Sequence, residues 1–543
     1  MALKDVVVSR STASSLSTTT TVNTVGTALV RAVRKPRLMA IRIRQRARTR
    51  RTGVTALPPH YTMLPPELWL LIFRFATIPS PFPSDTSFMA APALSRAAHF
   101  RAMQMKRTLS LVNSIWNRQM RELLYEFVWL TSAAQAHLLA LALRRDASLD
   151  WPLSPRSPGL WIARIRLETD LLHRCDPADV LTILHHARYA EAFEDQVSIR
   201  RSSYAGKHML ADPAAMGRLL ARSRPADAPP LRRLAWTTYD DTPFDVELSP
   251  VLTPSGRFAQ LEYFELTTLA VDPPIAVRAH APHSEGLNLP ALRALKLSLA
   301  DATFGIIATW TLPALTSLCV LLADASYARA GVRAFFLQHG ASLKQLELAH
   351  SPAILALTAI SRTGNADELA RREVRAYLAD WTPSLEELVV SCDAEWNWTD
   401  PNWAPAHPLI PAHPTLRMIG VRDFDVWIGR ALARFPAGSD WDYPEEGEDA
   451  VLRPLAEQVK VLLSPERFPK LRFVRDLSAA SDEMRKLPGD SKERPRRAVV
   501  QFWLDTVRRC GERGVYIENW KGDSIRVRDL QRAGGLVGSP QVK

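Results

Sequence analysis

From about residue 160 one short pattern keeps returning: an apolar residue, two variable ones, a second apolar residue, one variable, and a third. It reads Ile162/Ile165/Leu167, Leu231/Leu234/Trp236, Leu261/Phe264/Leu266, Leu292/Leu295/Leu297 and Leu315/Leu318/Val320. Further copies are Leu343/Leu346/Leu348, Leu385/Leu388/Val390 and Leu416/Ile419/Val421, with a degraded one at Leu471/Val474. From Leu231 onward the intervals are 30, 31, 23, 28, 42, 31 and 55 residues. A short apolar strand recurring at such a period marks a solenoid. Helical patterns fill several gaps. Val332, Phe335 and Phe336 precede Gly340, a natural helix stop, and Val374, Tyr377, Leu378 and Trp381 stand at i, i+3, i+4 and i+7. Ile428, Leu432 and Phe435 follow Asp425, a natural cap. Strand, loop and helix in that order predict an α/β fold, a curved parallel sheet with strands inside and helices on its convex side.

Upstream the period is helical. Leu68, Leu71, Ile72 and Phe75 share one face of a helix that opens at Leu64-Pro65-Pro66-Glu67. Proline suits the first turn, and Glu67 suits the positive end of the helix dipole. The Pro/Ser segment 78–83 stops it. After an irregular stretch of about thirty residues, Leu109, Val112 and Trp116 line one helical face; Met120, Leu123, Leu124 and Phe127 line the next. Helices this short must pack on one another or on a partner. Tyr125 to Leu130 then reads as a strand, and Ser132 as the N-cap of a helix running to Arg145. Near the other end, residues 479–497, with Asp482, Glu483, Arg485 and Lys486, read as a linker. Beyond it come a helix from Val499 to Arg509 and a strand at Val515-Tyr516-Ile517 that caps the solenoid.

Composition narrows the function. At 543 residues the chain is long enough for more than one structural unit. Its longest apolar run, Leu138 to Leu143, is far short of the roughly 18 residues of a membrane helix. The net charge of +13 is concentrated: residues 1–51 hold twelve Lys/Arg and one acid, which leaves +2 for the rest. A polyanion groove in the body is therefore not supported, and nucleic acid is not an expected partner. Residues 1–55, rich in Ser, Thr and Arg, fit a disordered tail, a nuclear localisation patch at Arg42 to Arg51, a mitochondrial presequence, or residues ahead of the true start. The first two readings go with a cytoplasmic or nuclear protein. Cys175, Cys319, Cys392 and Cys510 are too scattered for a zinc site or a disulfide framework. The chain has no GxxxxGK, GxSxG, HExxH or GxGxxG. No catalytic residue, cofactor, metal or small-molecule substrate is expected. His185-His186, adjacent on a helix, diverge by about 100° and make a poor metal pair. Trp396, Trp398 and Trp403 stand among acids just after the strand at Leu388 to Val390. They suit either target recognition or closure of a long loop over the sheet.

The segment Leu64 to Phe127 resembles the F-box. It carries the Leu-Pro-x-Glu opening, the Leu-Ile-Phe helix, Leu109-Ser110-Leu111-Val112-Asn113-Ser114-Ile115-Trp116, and Leu123-Leu124-Tyr125. Asn113 and Ser114 stand where the family usually has Cys and Lys, and the insertion near 78–105 is longer than usual. The whole is similar to fungal, mushroom-type F-box proteins with degenerate leucine-rich repeats, in which Tyr-Glu-x-Val-Trp-Leu also recurs after the box. The repeats lack the usual Asn ladder and have longer intervals. The resemblance implies a three-helix module that docks on the adaptor subunit of a cullin–RING (SCF-type) ubiquitin ligase, with repeats that bind a target protein. Adaptor contact or its packing would fall to Leu64, Pro65, Glu67, Leu68, Leu71, Ile72, Leu111, Val112 and Trp116. The organisation expected is a tail at 1–55, the box at 56–128, the solenoid at 129–478, the linker at 479–497, a capping helix and strand at 498–530, and a tail at 531–543. The alternative is a repeat scaffold without a ligase role.

Overall fold

The computed structural model describes residues 64–77, 92–149, 157–170, 173–200, 229–238, 258–268, 287–298, 301–322, 330–350, 378–391, 412–433, 447–486 and 497–533. The chain divides into two units, Met1–Trp69 and Leu70–Lys543. Of the first unit, residues 64–69 are described. There the Pro65 carbonyl accepts the Leu68 and Trp69 amides at 3.0 and 3.3 Å, opening helix α1 (Pro66–Thr77) with proline at the first helical position.

In the second unit twelve strands stack in sequence order. They are β1 (Phe127–Leu130), β2 (Arg164–Leu167), β3 (Ala192–Asp195), β4 (Arg233–Thr238), β5 (Tyr263–Thr268) and β6 (Ala294–Ser298). The series continues with β7 (Ser317–Leu322), β8 (Gln345–His350), β9 (Glu387–Ser391), β10 (Met418–Arg422), β11 (Phe473–Asp476) and β12 (Tyr516–Glu518). Every neighbouring pair is parallel. This is a solenoid-like α/β arrangement, one strand per coil. In all nine recurring patterns the first apolar residue stands two residues ahead of a strand and the others lie on it, and every one of these apolar residues is buried. The middle residues align in register from Val128 through Ile165, Phe193, Leu234 and Phe264 to Leu295, and on through Leu318 and Leu346 to Ile517. Side chains alternate across a strand, so this row lies on one face and the residues between lie on the other, here the open face.

A backbone device repeats with the strands. Just before each strand from β3 to β11, one carbonyl of the preceding coil accepts two successive amides. Arg232 O takes Glu262 N and Tyr263 N, Glu262 O takes Arg293 N and Ala294 N, and Lys344 O takes Glu386 N and Glu387 N, all at 2.8–3.0 Å. Two residues thus oppose one, as in a bulge.

The helices α2 (Pro92–Ser110), α3 (Ser114–Glu126), α4 (Ala133–Leu149), α5 (Pro177–His186), α6 (Asp301–Ile307), α7 (Ala330–His339) and α8 (Leu378–Trp381) precede or alternate with strands. Phe304, Ile307, Val332, Phe335 and Phe336 share one core with the strand leucines. Phe336 stacks on Trp381 at 5.7 Å. Gly340 follows α7 where a Cβ would collide with the Trp381 carbonyl, so this close approach of two backbones requires glycine. Then follow α9 (Phe424–Ala433), α10 (Gly447–Leu462), α11 (Ala479–Lys486), α12 (Arg497–Glu512) and α13 (Val527–Ala533). The helix and strand expected at 499–517 are α12 and β12. Ser132 precedes α4 and accepts from Gln135 N at 3.3 Å, as its reading as a cap requires.

Several expectations fail in detail. Residues 92–105, read as irregular, belong to α2. Its buried face carries Ala102 and Lys106 at i and i+4, a pair that an apolar period does not detect. Residues 479–486, read as linker, form α11, whose Asp482 and Arg485 side chains are buried together while Glu483 is exposed. Arg485 bonds Asp476 at 2.6 Å, reaches Asp482 at 3.5 Å and lies 4.3 Å over the Trp503 ring. Strand β3 was missed because Ala190, Phe193 and Asp195 fill the three pattern positions, leaving one large apolar side chain. Asp425 lies inside the first turn of α9 instead of capping it. Residues 1–55, 487–496 and 534–543 and Cys392 lie outside the described residues.

Candidate interaction surfaces

Helix α1 carries two apolar rows. In the second unit Phe73 points inward and meets Trp116 edge-on at 4.9 Å. One residue on, Arg74 reaches Glu122 and Glu126 of α3 at 3.8 and 3.4 Å. Helix α3 starts at an Asn113 cap whose side chain accepts Trp116 N at 2.8 Å. It buries Met120 and Leu123. Helix α2 adds the Lys106 ammonium, which donates to Leu123 O at 2.7 Å. Burial holds that ammonium below its usual range, with Arg74 adding to the effect and Glu126 opposing it.

The other row of α1 faces out. Leu71 and Ile72 are exposed and Phe75 is 79% exposed. Leu64, Pro65, Glu67 and Leu68 of the first unit are exposed as well. Leu111, 83% exposed, and Val112 sit in the turn before the Asn113 cap, which breaks the single helical face expected for Leu109, Val112 and Trp116. Ile115 beside them is exposed too. Trp116 is half-buried against Phe73. Periodicity had assigned Phe73 no role and passed over Phe100 and Met105, both exposed on α2. Trp396, Trp398 and Trp403 lie outside the described residues.

The open face of the sheet has a different chemistry. Its carboxylates Glu194, Glu265, Glu347 and Glu518 are buried, while the cations that hold them stand higher and are half-buried. Three guanidiniums converge on Glu194: Arg164 directly, Arg233 at 2.8 Å and Arg166 at 3.5 Å. Burial pushes the Glu194 carboxyl up, but Arg233, Arg164 and Arg166 together outweigh it and hold it below the usual carboxylate range. Lys296 bonds Glu265 at 2.8 Å, Arg422 bonds Glu347 and Arg475 bonds Glu518 at 2.7 Å. The body's near-neutral charge therefore conceals a layered arrangement with cations outermost.

His185 and His186 end α5, their rings 5.3 Å apart and edge-on. Among the described residues no group of three His, Cys, Asp or Glu side chains could hold a metal ion. Among the same residues no helix is long and apolar enough to cross a membrane. Cys175, Cys319 and Cys510 are buried thiols, and burial pushes Cys175 up to about 11 and Cys510 up to about 12. No protein-family model matches the chain, and no curated protein matches it.

Proposed function

We propose that the chain is the substrate receptor of a cullin–RING ubiquitin ligase, docking to the adaptor subunit through its helical module and holding a target on the solenoid-like sheet. One observation carries the reading: the segment that resembles the F-box turns Leu71, Ile72 and Phe75 to solvent while its inner row is already packed. Large apolar side chains gathered on one small module favour an interface. Catalysis then belongs to other subunits, and this chain contributes proximity by holding the target near the transferring enzyme. An F-box adaptor and a leucine-rich-repeat receptor are the finer terms of this proposal.

The test is capture of the purified adaptor subunit by the full chain, beside a Leu71→Ala/Ile72→Ala/Phe75→Ala variant. Capture by the wild type and at least a tenfold loss in the variant, with unchanged circular dichroism, is the expected result. A folded wild type that does not capture the adaptor sinks the receptor reading and leaves a repeat scaffold.

A further inference from the structure

We propose that the corner where α2 meets the open face at β1 and β2 binds an acidic peptide segment of the target. This deepens the receptor reading and rests on it for the word target. The surface itself needs no adaptor to act.

Phe127 and Trp129 of β1 pair in register with Arg164 and Arg166 of β2. The two guanidiniums lie over those rings at 4.8 and 4.5 Å. His99 of α2 meets the same rings at 4.8 and 5.2 Å and so walls the corner. Stacking fixes each guanidinium plane without consuming its N–H donors.

Three features say what would bind there. First, Arg164, Arg166 and Arg233 face Glu194 below and Glu168 at the side, which holds Arg166 at 3.0 Å. Among the described residues these three cations meet two carboxylates at ion-pair distance, a local surplus of one positive charge, and the cations are less buried than Glu194. Second, two donors buried in this corner, Trp129 Nε1 and Arg164 Nε, have no acceptor among the described residues. Trp129 itself is 8% exposed. A buried donor left unpaired is costly, so the corner gains from a ligand that brings acceptors. Third, burial first, and then Lys106, Arg164 and Arg166, push His99 down to about 4, so the corner is electropositive without histidine charge.

A side-chain carboxylate, with two oxygens and no donor, matches a guanidinium fork. Acceptors along an extended peptide would serve the two orphan donors. A surplus of one charge suits an acidic peptide better than a nucleic acid, whose binding relies on many phosphate contacts.

The experiment is fluorescence anisotropy of the full chain with a labelled glutamate–serine peptide, its glutamine–serine counterpart and a single-stranded RNA of equal length. The glutamate peptide should bind about tenfold tighter than the glutamine one. Arg166→Gln should erase that preference, Arg166→Lys should keep much of it, and Trp129→Phe, which keeps a ring but removes Nε1, should weaken binding about threefold. Arg164 and Arg233 still hold Glu194 in the Arg166 variants, and thermal melting verifies that they fold. Equal binding of the two peptides, indifference to Arg166→Gln in a folded chain, or preference for the RNA overturns the proposal. Adaptor capture is read on the same preparations. A chain that binds the acidic peptide but not the adaptor keeps this surface and loses the receptor reading; the reverse overturns this surface alone.

Discussion

Two Leu-rich regions of the second unit behave in opposite ways. In the sheet, Leu292, Leu295, Leu297 and their counterparts are buried on every strand. In the helical module, Leu71, Ile72 and Leu111 are exposed. Hydrophobic period alone does not separate them, because it reports that a face exists and not which way it points. The difference lies in supply. The strand rows pack into one core with one another and with the helices, whereas the inner row of α1 is already covered by Trp116 and its outer row has no counterpart among the described residues. An apolar row in the repeat is core; the apolar row left over in the module is exposed.

That contrast can be broken by substitution, beginning in the sheet. Phe264→Ala, in the middle of the aligned row, should lower unfolding free energy by about 3–5 kcal/mol in urea titration. An effect below 1 kcal/mol would contradict its complete burial. Arg485→Met comes next: it strands Asp476 without its cation, and a loss of about 3 kcal/mol should follow by the same method.

The charged layer has a pH signature. Because the folded Glu194 carboxyl is held below its usual range, its contribution is present above about pH 4.3 and lost as pH falls through the depressed folded value. Glu194→Gln should therefore melt below the wild type at pH 7, and the gap should narrow toward pH 3. A gap that does not change with pH would mean that the three arginines stabilise something other than the carboxylate.

The smallest effect should come from the module. Leu71→Ala should change stability by less than about 0.5 kcal/mol in the same titration, since it is 48% exposed already. A loss of 2 kcal/mol or more would make Leu71 part of the core and remove it from the docking face.

Much of the architecture was legible because apolar side chains alone create it. Leu231/Leu234/Trp236 and its kin locate strands wherever a large residue fills each inward position. Where a small or charged residue does that work, the same reasoning fails. Phe193 stood alone in β3, Ala102 and Lys106 formed the inner face of α2, and Arg485 entered the core by carrying Asp476 with it. A charge reads as solvated until its partner is known, and this partner lies nine residues away across a strand end. The outer row of α1 was visible as a stripe, though its outward direction was not. The convergence of Arg164, Arg166 and Arg233 on Glu194 needs strands up to 69 residues apart to be placed side by side, and no local pattern reports that.

The doubled hydrogen bond before each strand has an evolutionary reading. One carbonyl captures the incoming chain at the same point of every coil from β3 to β11, so coils repeating at 23 residues and at 55 enter the sheet identically. What lies between two captures varies in length from coil to coil. Descendants of such a gene can lengthen, shorten or exchange the intervening segments while inheriting the sheet unchanged. The sheet is thus a rack on which new surfaces can be tried one coil at a time.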